Sequence, residues 1–364
     1  MDTGENIRGN EYADVTFLEV GKEYAEPVRR KLLQENILRF DSSIITKGDM
    51  VCFPIYKGIP EEQLFSVLRL YSRNFSISVS RVLLKPKKIN SFRDLIDIPE
   101  EFLEFLPSSW DVVGDIIFVK LSDEILSFKT KISQALLAAH GNIRSVYWVK
   151  KISGDCRIRE LEHIGGDENT VTAAKEFGII MNLDVAKVYY SPRLATERWR
   201  IAQQVSEGEL VLDMFTGIGP FSLVISRHAR PSSIHSIDIN PEAIRYLETN
   251  IKLNRIENIE YHLGDAVEIC KSLSDLYKFD RIIMNLPHSS LDFFEIALAC
   301  SKIQTKIHLY VIRELSSIDD MVDDCIASAG KQGCQISEKA RVTVRSYSPS
   351  EANVCVDFSV DDIR

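Results

Sequence analysis

The 364-residue chain contains no apolar run approaching the roughly 18 residues that span a bilayer, so no transmembrane anchor is expected. Its first residues, MDTGENIRGNEYADV, lack both the apolar stretch of a secretory signal and the arginine richness of a transit peptide, which points to an intracellular protein. None of the cysteines at 52, 156, 270, 300, 325, 334 and 355 forms a C-x-x-C pair. That argues against a disulfide framework and a structural zinc site, and leaves buried thiols. Internal repeats and low-complexity tracts are also missing. Nor is there an excess of positive charge: the net charge is −9, whereas binding phosphates requires Lys and Arg.

What is present is a charge distribution more informative than its sum. Residues 125–154 carry Lys129, Lys131, Arg144, Lys150 and Lys151 with no acid, and RVLLKPKK at 81–88 is a second basic run, while acids gather in DDMVDD. This suits a basic groove on an acidic body, or simply solvated lysines. Three regions are expected. Residues 1–88 mix short alternating runs with the helical EEQLFSVLRLYSR and end in Lys-Pro-Lys-Lys, a linker composition. In 89–182, WDVVGDIIFVKL predicts two strands around a glycine, SFKTKISQALLAAH a helix, and SVYWVKKISG and TVTAAKEFGIIMNLD further strands. From 183 to 364 apolar strands alternate with helices, the pattern of a parallel α/β sheet.

In that last region, ELVLDMFTGIGPFSLVISRHA reads as a strand ending at Asp213, a loop with Gly217 and Gly219, and a helix. SIHSIDI ends at Asp238 before an Asn240-Pro241 helix start, IEYHLG runs into Asp265, and FDRIIMNLP runs into Asn285. Four successive strands thus deliver polar groups to their carboxyl ends, the edge where open α/β sheets bind ligands. Asp238 suits the two hydroxyls of a ribose. NAD and S-adenosyl-L-methionine both fit such a set. The loop GIGPFS departs from the dinucleotide fingerprint, and an acid beside it would repel a pyrophosphate while attracting a sulfonium-bearing ligand, so the methyl donor is favoured.

The segments DMFTGIGPFS, IDINPEAIRYLETNIKLN, RIIMNLP, RIRELEHIGG and DVAKVYYSPRLATER together resemble the archaeal and eukaryotic tRNA (guanine-37-N1)-methyltransferase family over nearly the whole chain. The resemblance implies a class I Rossmann-like methyltransferase domain of the α/β class, built on a mostly parallel sheet, with α+β N-terminal and middle domains. It implies S-adenosyl-L-methionine as cofactor and tRNA as substrate, met at its anticodon stem-loop and tertiary core. By the same resemblance Glu197 is the general base that takes the guanine N1 proton, Arg157 stabilises the charge on O6, and Asn285 fixes the base edge. The cofactor set implied is Tyr189, Asp213, Phe215, Gly217, Gly219, Asp238, Ile239, Asp265, Ala266, Asn285 and Pro287. Lys150, Lys151, Arg157, Arg193 and Arg345 are expected to meet the RNA, and no metal, membrane or second subunit is expected. The cytoplasm is the expected compartment, with the nucleus or mitochondrial matrix as further ones. Competing readings stand beside these: Glu197, ahead of Arg198 and Arg200, also suits a helix surface, and Arg157 among Arg159, Glu160 and Glu162 suits an ion-pair network. The sister activity that transfers the aminocarboxypropyl group, an NAD-linked dehydrogenase and a non-catalytic RNA-binding module are the alternative functions.

Overall fold

Chain packing divides the protein into two compact units, Met1–Asp94 and Leu95–Arg364. A computed structural model describes residues 12–39, 41–68, 75–83, 91–153 and 158–364. The Lys-Pro-Lys-Lys stretch and Arg157 lie outside the described residues.

In the first unit the alternation of apolar residues fixes a sheet with two different faces. Strands β1 (Tyr12–Gly21), β2 (Ile45–Lys47), β3 (Met50–Ile55) and β4 (Phe75–Leu83) pair antiparallel in the order β2-β3-β1-β4. Leu18 and Val20 of β1 face helices α1 (Ala25–Gln34) and α2 (Glu61–Leu68) with Val28, Leu32, Leu64 and Val67. Val15 and Phe17, one position out of step, turn to the other face and pack on Cys52.

The second unit begins with a four-stranded sheet, β5 (Asp111–Val113), β6 (Ile116–Val119), β7 (Ser145–Ser153) and β8 (Ile158–Gly166). The expected glycine between the first two strands is required by geometry. Gly114 has φ +57°, and a Cβ there would lie 2.0 Å from Thr172 Oγ1. Helix α3 (Lys129–Ala139) covers this sheet, and Ser133 Oγ donates to the Ile164 carbonyl at 2.6 Å. A hairpin of β9 (Val171–Glu176) and β10 (Ile179–Asp184) follows.

The rest forms a seven-stranded sheet. Its strands are β11 (Leu210–Asp213), β12 (Ser233–Asp238), β13 (Ile259–Leu263), β14 (Phe279–Met284), β15 (Ser301–Glu314), β16 (Cys334–Ser346) and β17 (Glu351–Ile363). They lie in the order β13-β12-β11-β14-β15-β17-β16, parallel from β13 to β15, with β17 antiparallel to both β15 and β16. Helices α4 (Ala195–Ala202), α5 (Pro220–His228), α6 (Pro241–Asn254), α7 (Ala266–Ser274), α8 (Phe294–Ala299) and α9 (Ile318–Lys331) connect them. Leu212, Ile282 and Leu309 enter the core shared with α7, α8 and α9, while Val211, Ile283 and Tyr310 enter the core shared with α5 and α6. Burial on both faces explains why these strands read as continuous apolar runs. The second core also takes in Ile116, Phe118, Met181 and Leu183, so the smaller sheets of this unit share it. The six described cysteines are all buried and free. Among the described residues no helix is long and apolar enough to cross a membrane.

Two asparagines on successive turns of α6 hold the hairpin to the large sheet by imitating an edge strand. Asn250 accepts from the Asn182 amide at 2.7 Å and donates to its carbonyl at 3.2 Å. Asn254 does the same for Ile180, at 3.0 and 2.7 Å. Both are buried, so either loss leaves backbone groups unsatisfied. Asn250→Ala is expected to destabilise the second unit by about 1–3 kcal/mol, as a lower urea midpoint with unchanged slope. A midpoint equal to wild type would show that the clamp contributes nothing.

Candidate active site

The strand order reverses direction of growth between β11 and β14, and there the loops at the carboxyl ends part to leave a cleft. The cleft has a volume of about 280 Å³. Its near end is built by β12 and β13, whose ends supply Asp238, Ile239, Gly264, Asp265 and Ala266. Met214, Phe215, Thr216 and Gly217 follow β11, and Asn285, Leu286 and Pro287 follow β14. Arg345, Tyr347 and Asn353 close the far end from β16, β17 and their turn.

Backbone hydrogen bonds suspend the glycine loop from its neighbours. Met214 N donates to the Ile283 carbonyl at 3.0 Å, Thr216 N to the Ile237 carbonyl at 2.8 Å, and Gly217 N to Asp238 Oδ2 at 2.7 Å. Asp238 Oδ1 accepts from Asn240 N at 2.9 Å. Its carboxylate is therefore aimed by two amides while lone pairs still face the cleft, the arrangement a ribose diol needs. Burial raises its pKa and the backbone amides oppose that rise. Asn240 caps α6, accepting from Glu242 N at 3.0 Å, and Asp265 caps α7, accepting from Val267 N at 2.8 Å. The Asn285 loop is stapled by Ser290, which donates to the Met284 carbonyl at 2.8 Å and accepts from Leu286 N at 3.1 Å.

Of the expected cofactor residues, Tyr189, Phe215, Gly217, Asp238, Ile239, Asp265, Ala266, Asn285 and Pro287 all line the cleft. Two do not. Asp213 is fully buried beneath the loop, where Ser222 Oγ donates to it at 2.8 Å and in turn contacts Ser236 Oγ at 2.8 Å. Burial pushes its pKa up to about 6. Gly219 has φ +86° and packs against α6, where a Cβ would lie 2.3 Å from Leu247 Cδ1. Its place is set by helix packing and by the turn that starts α5.

Glu197 is buried, which removes the reading of it as a surface residue. It is not part of the cleft wall. Arg200 donates from Nε to Glu197 Oε2 at 2.8 Å and from Nη2 to Oε1 at 2.7 Å, and the Tyr310 hydroxyl donates to Oε1 at 2.7 Å. An ionised carboxylate offers about four acceptor sites, so these three bonds leave room on Oε2 for one more donor. Next to it Arg198, 1% exposed, does reach the cleft. Its Nη1 donates to Glu176 at 2.5 Å and its Nη2 to the Ser191 carbonyl at 2.9 Å. Arg159, two residues beyond Arg157, is buried against the Phe118 and Tyr189 rings and donates to the Tyr190 carbonyl at 2.7 Å.

The basic segment is neutralised in space by acids distant in sequence. Lys129 pairs with Glu162 at 2.6 Å, Lys150 with Glu162 at 2.8 Å, Lys151 with Glu160 at 3.5 Å, and Arg144 with Asp115 at 2.5 Å. Arg341 is likewise held by Asp319 and Glu338. Arg193 lines the cleft and pairs with Asp111, and Arg345 lies 4.9 Å over the Tyr347 ring. Sequence reasoning missed Arg198, Tyr347 and Asn353. Only Asn353 had a signal: like Asn285, it is an amide interrupting an apolar strand.

Residues 172–337 match the family model described as the TRM5/TYW2 methyltransferase domain, and residues 92–170 the TYW2 N-terminal domain. The tRNA (guanine(37)-N(1))-methyltransferase Trm5b of Pyrococcus abyssi is 36% identical over 337 residues, spanning 92% of this chain and 96% of its own. A tRNA(Phe) (4-demethylwyosine(37)-C(7)) aminocarboxypropyltransferase of Methanocaldococcus jannaschii is 30% identical over 69% of this chain and 97% of its own. A solved complex of aTrm5 and tRNALeu superposes with a TM-score of 0.79 at 32% identity, covering 95% of this chain and 99% of that one.

The raised pKa of Asp213 gives its contribution to stability a definite sign. The folded state binds the proton more tightly than the unfolded chain, so this contribution is complete below about pH 4 and is lost as pH rises through about 6. Asp213→Asn has no such loss. Its stability relative to wild type should improve by about 2–3 kcal/mol between pH 4 and 7 in parallel denaturation curves. A pH-independent difference would contradict the buried, proton-binding assignment.

Proposed function

We infer the function from one premise: the chain belongs to the TRM5/TYW2 methyltransferase family. It is an S-adenosylmethionine-dependent tRNA methyltransferase whose target is N1 of guanine 37. The observation that carries this over the aminocarboxypropyl reading is extent: the Trm5b likeness runs through 92% of the chain, whereas the aminocarboxypropyltransferase likeness covers 69%.

The residues present suit the cofactor. Asp238 has the geometry for the ribose hydroxyls, and Ile239, Ala266 and Phe293 provide apolar contact for a flat base beside the Asp265 cap. When bound, the cofactor supplies an electrophilic methyl group on a sulfonium. The chain's own residues must make guanine N1 a nucleophile. In the reading we favour, Glu197 takes the N1 proton through the acceptor site left open on Oε2, and the displaced charge moves to O6. The proton remains on the Glu197 carboxyl group, and the cofactor held in the cleft would give its methyl to N1 and be left as a neutral thioether. Arg157 is proposed to stabilise O6. Asn285, at the end of β14, offers the base edge a donor and an acceptor without adding charge.

The acceptor purine must leave its stack to reach a methyl group at the sheet edge, and an anticodon loop permits this at lower cost than a duplex. Arg193 and Arg345 are proposed to meet the RNA at the cleft mouth, with Lys150 and Lys151 farther out on β7. We place the protein in the cytosol, with nucleus and mitochondrial matrix as further compartments. Its buried free thiols support a reducing environment.

Two measurements test the reading. Transcripts with G37 should accept label from methyl-labelled S-adenosylmethionine and yield 1-methylguanosine, while A37 transcripts should not. A mass increase corresponding to an aminocarboxypropyl group would overturn the assignment. Glu197→Gln should lower the single-turnover rate by roughly 10²-fold or more with cofactor affinity retained by calorimetry. An unchanged rate would remove Glu197 from the role of base.

A further inference from the structure

Asn353 stands where β17 enters the sheet, and it is 4% exposed while lining the cleft. Its Oδ1 is buried and has no hydrogen-bond partner among the described residues. A buried acceptor left unsatisfied is costly, and a position facing a ligand cleft is where a ligand would satisfy it. The register places Asn353 between Ile312 of β15 and Arg345 of β16. Ile312 N donates to the Pro287 carbonyl at 2.9 Å, which ties this position to the Asn285 loop. On the other side, Arg345 stacks on Tyr347. Along the sheet edge Asp238 and Asp265 occupy the opposite end, so Asn353 belongs to the half of the cleft left for the acceptor nucleotide. Residues 353, 355 and 357 share one face of β17. Cys355 is paired with Tyr310, whose hydroxyl holds Glu197, so the carboxylate cluster begins about one alternate residue behind Asn353.

We propose that Asn353 is a specificity-determining residue, its amide oxygen accepting an N–H of the guanine 2-amino group. This rests on guanine methylation as the activity. Of the two donors on guanine's Watson–Crick edge, N1–H gives up the proton that Glu197 takes, which leaves the 2-amino group for Asn353. Adenine carries only C–H at that position, so the buried acceptor would stay unsatisfied. The amide adds no charge, so it orients the edge without competing with Glu197 for the proton.

The test uses Asn353→Ala and the smaller polar replacement Asn353→Ser in the full-length protein. Melting curves establish folding, calorimetry gives cofactor affinity, and single-turnover kcat/KM is read on G37 transcripts and on transcripts with inosine at 37, which lacks the 2-amino group. Both variants should lose roughly tenfold on G37, the order expected for one buried group left unpaired, with cofactor affinity within twofold of wild type. Loss on G37 but not on inosine is expected for the 2-amino group as donor, and equal loss on both overturns the proposal. The proposal is overturned if a folded variant retains wild-type kcat/KM on G37, or if cofactor affinity falls by the same factor as kcat/KM. Absence of methylation by the wild-type protein would instead refute the underlying activity.

Discussion

A single guanidinium, that of Arg200, lies between two buried carboxylates and fixes the helix on which the candidate chemistry depends. It holds Glu197 through Nε and Nη2, and Asp357 of β17 through Nη1 at 2.7 Å. Two residues earlier, Arg198 points from the same short helix to Glu176 of β9. Helix α4 is thus joined by charge to the large sheet on one flank and to the hairpin on the other. Buried ion pairs contribute little net stability over an apolar packing, but removing one partner is severe because it strands a charge. Their effect here is to specify position. A helix of eight residues could slide on a purely apolar surface, whereas these pairs allow one register for Glu197 and Arg198 relative to the cleft.

The same cluster shows how a set of potential metal ligands is committed to another purpose. His308, Cys355 and Asp357 bring ligand atoms within 4.8 Å of one another. Arg281 Nη1 lies 2.7 Å from His308 Nε2, and because arginine can only donate, that nitrogen must be the acceptor. The proton then sits on Nδ1, 2.6 Å from Asp357. Burial depresses the His308 pKa, which agrees with a neutral ring. Burial would raise Asp357, but hydrogen bonds from His308 and Arg200 more than compensate and hold it well below the ordinary carboxylate range. With Glu209 neutralising Arg281, the chain of groups runs from the amino end of β11 to Glu197 with cations already in place, an environment built to hold carboxylates.

The parallel core and the main axis of the cleft were legible because two-sided burial writes itself as apolar runs, and the first polar residue after each run marks a carboxyl end. Asp238, Asp265 and Asn285 are of this kind. The positions of Asp213 beneath the loop and Gly219 against α6 were not legible, since a cap, a helix contact and a ligand contact select the same residue types. The pairing of the basic segment 125–154 was not legible for a different reason: its acid partners, among them Asp115, Glu160 and Glu162, lie outside it and arrive through sheet pairing and helix packing. Helix α4 hid its orientation because it turns Glu197 and Arg198 inward, the reverse of ordinary amphipathic order, and only the facing Glu176 and Tyr310 reveal why.

The far wall of the cleft follows from one reversal of direction. From β13 to β15 the strands are parallel, so each contributes its last residues to the ligand edge and its first residues to the opposite side. Strand β17 runs the other way, which brings its beginning to that edge, and β16 ends beside it. The connecting turn, residues 347–350, therefore rises from the cleft rim, and Tyr347 reaches the cleft from it. A seventh strand parallel to the rest would have placed Asn353 at the remote side of the sheet. The antiparallel insertion gives the cleft a wall made of one hairpin, continuous in sequence and separate from the loops that follow β11, β12 and β13.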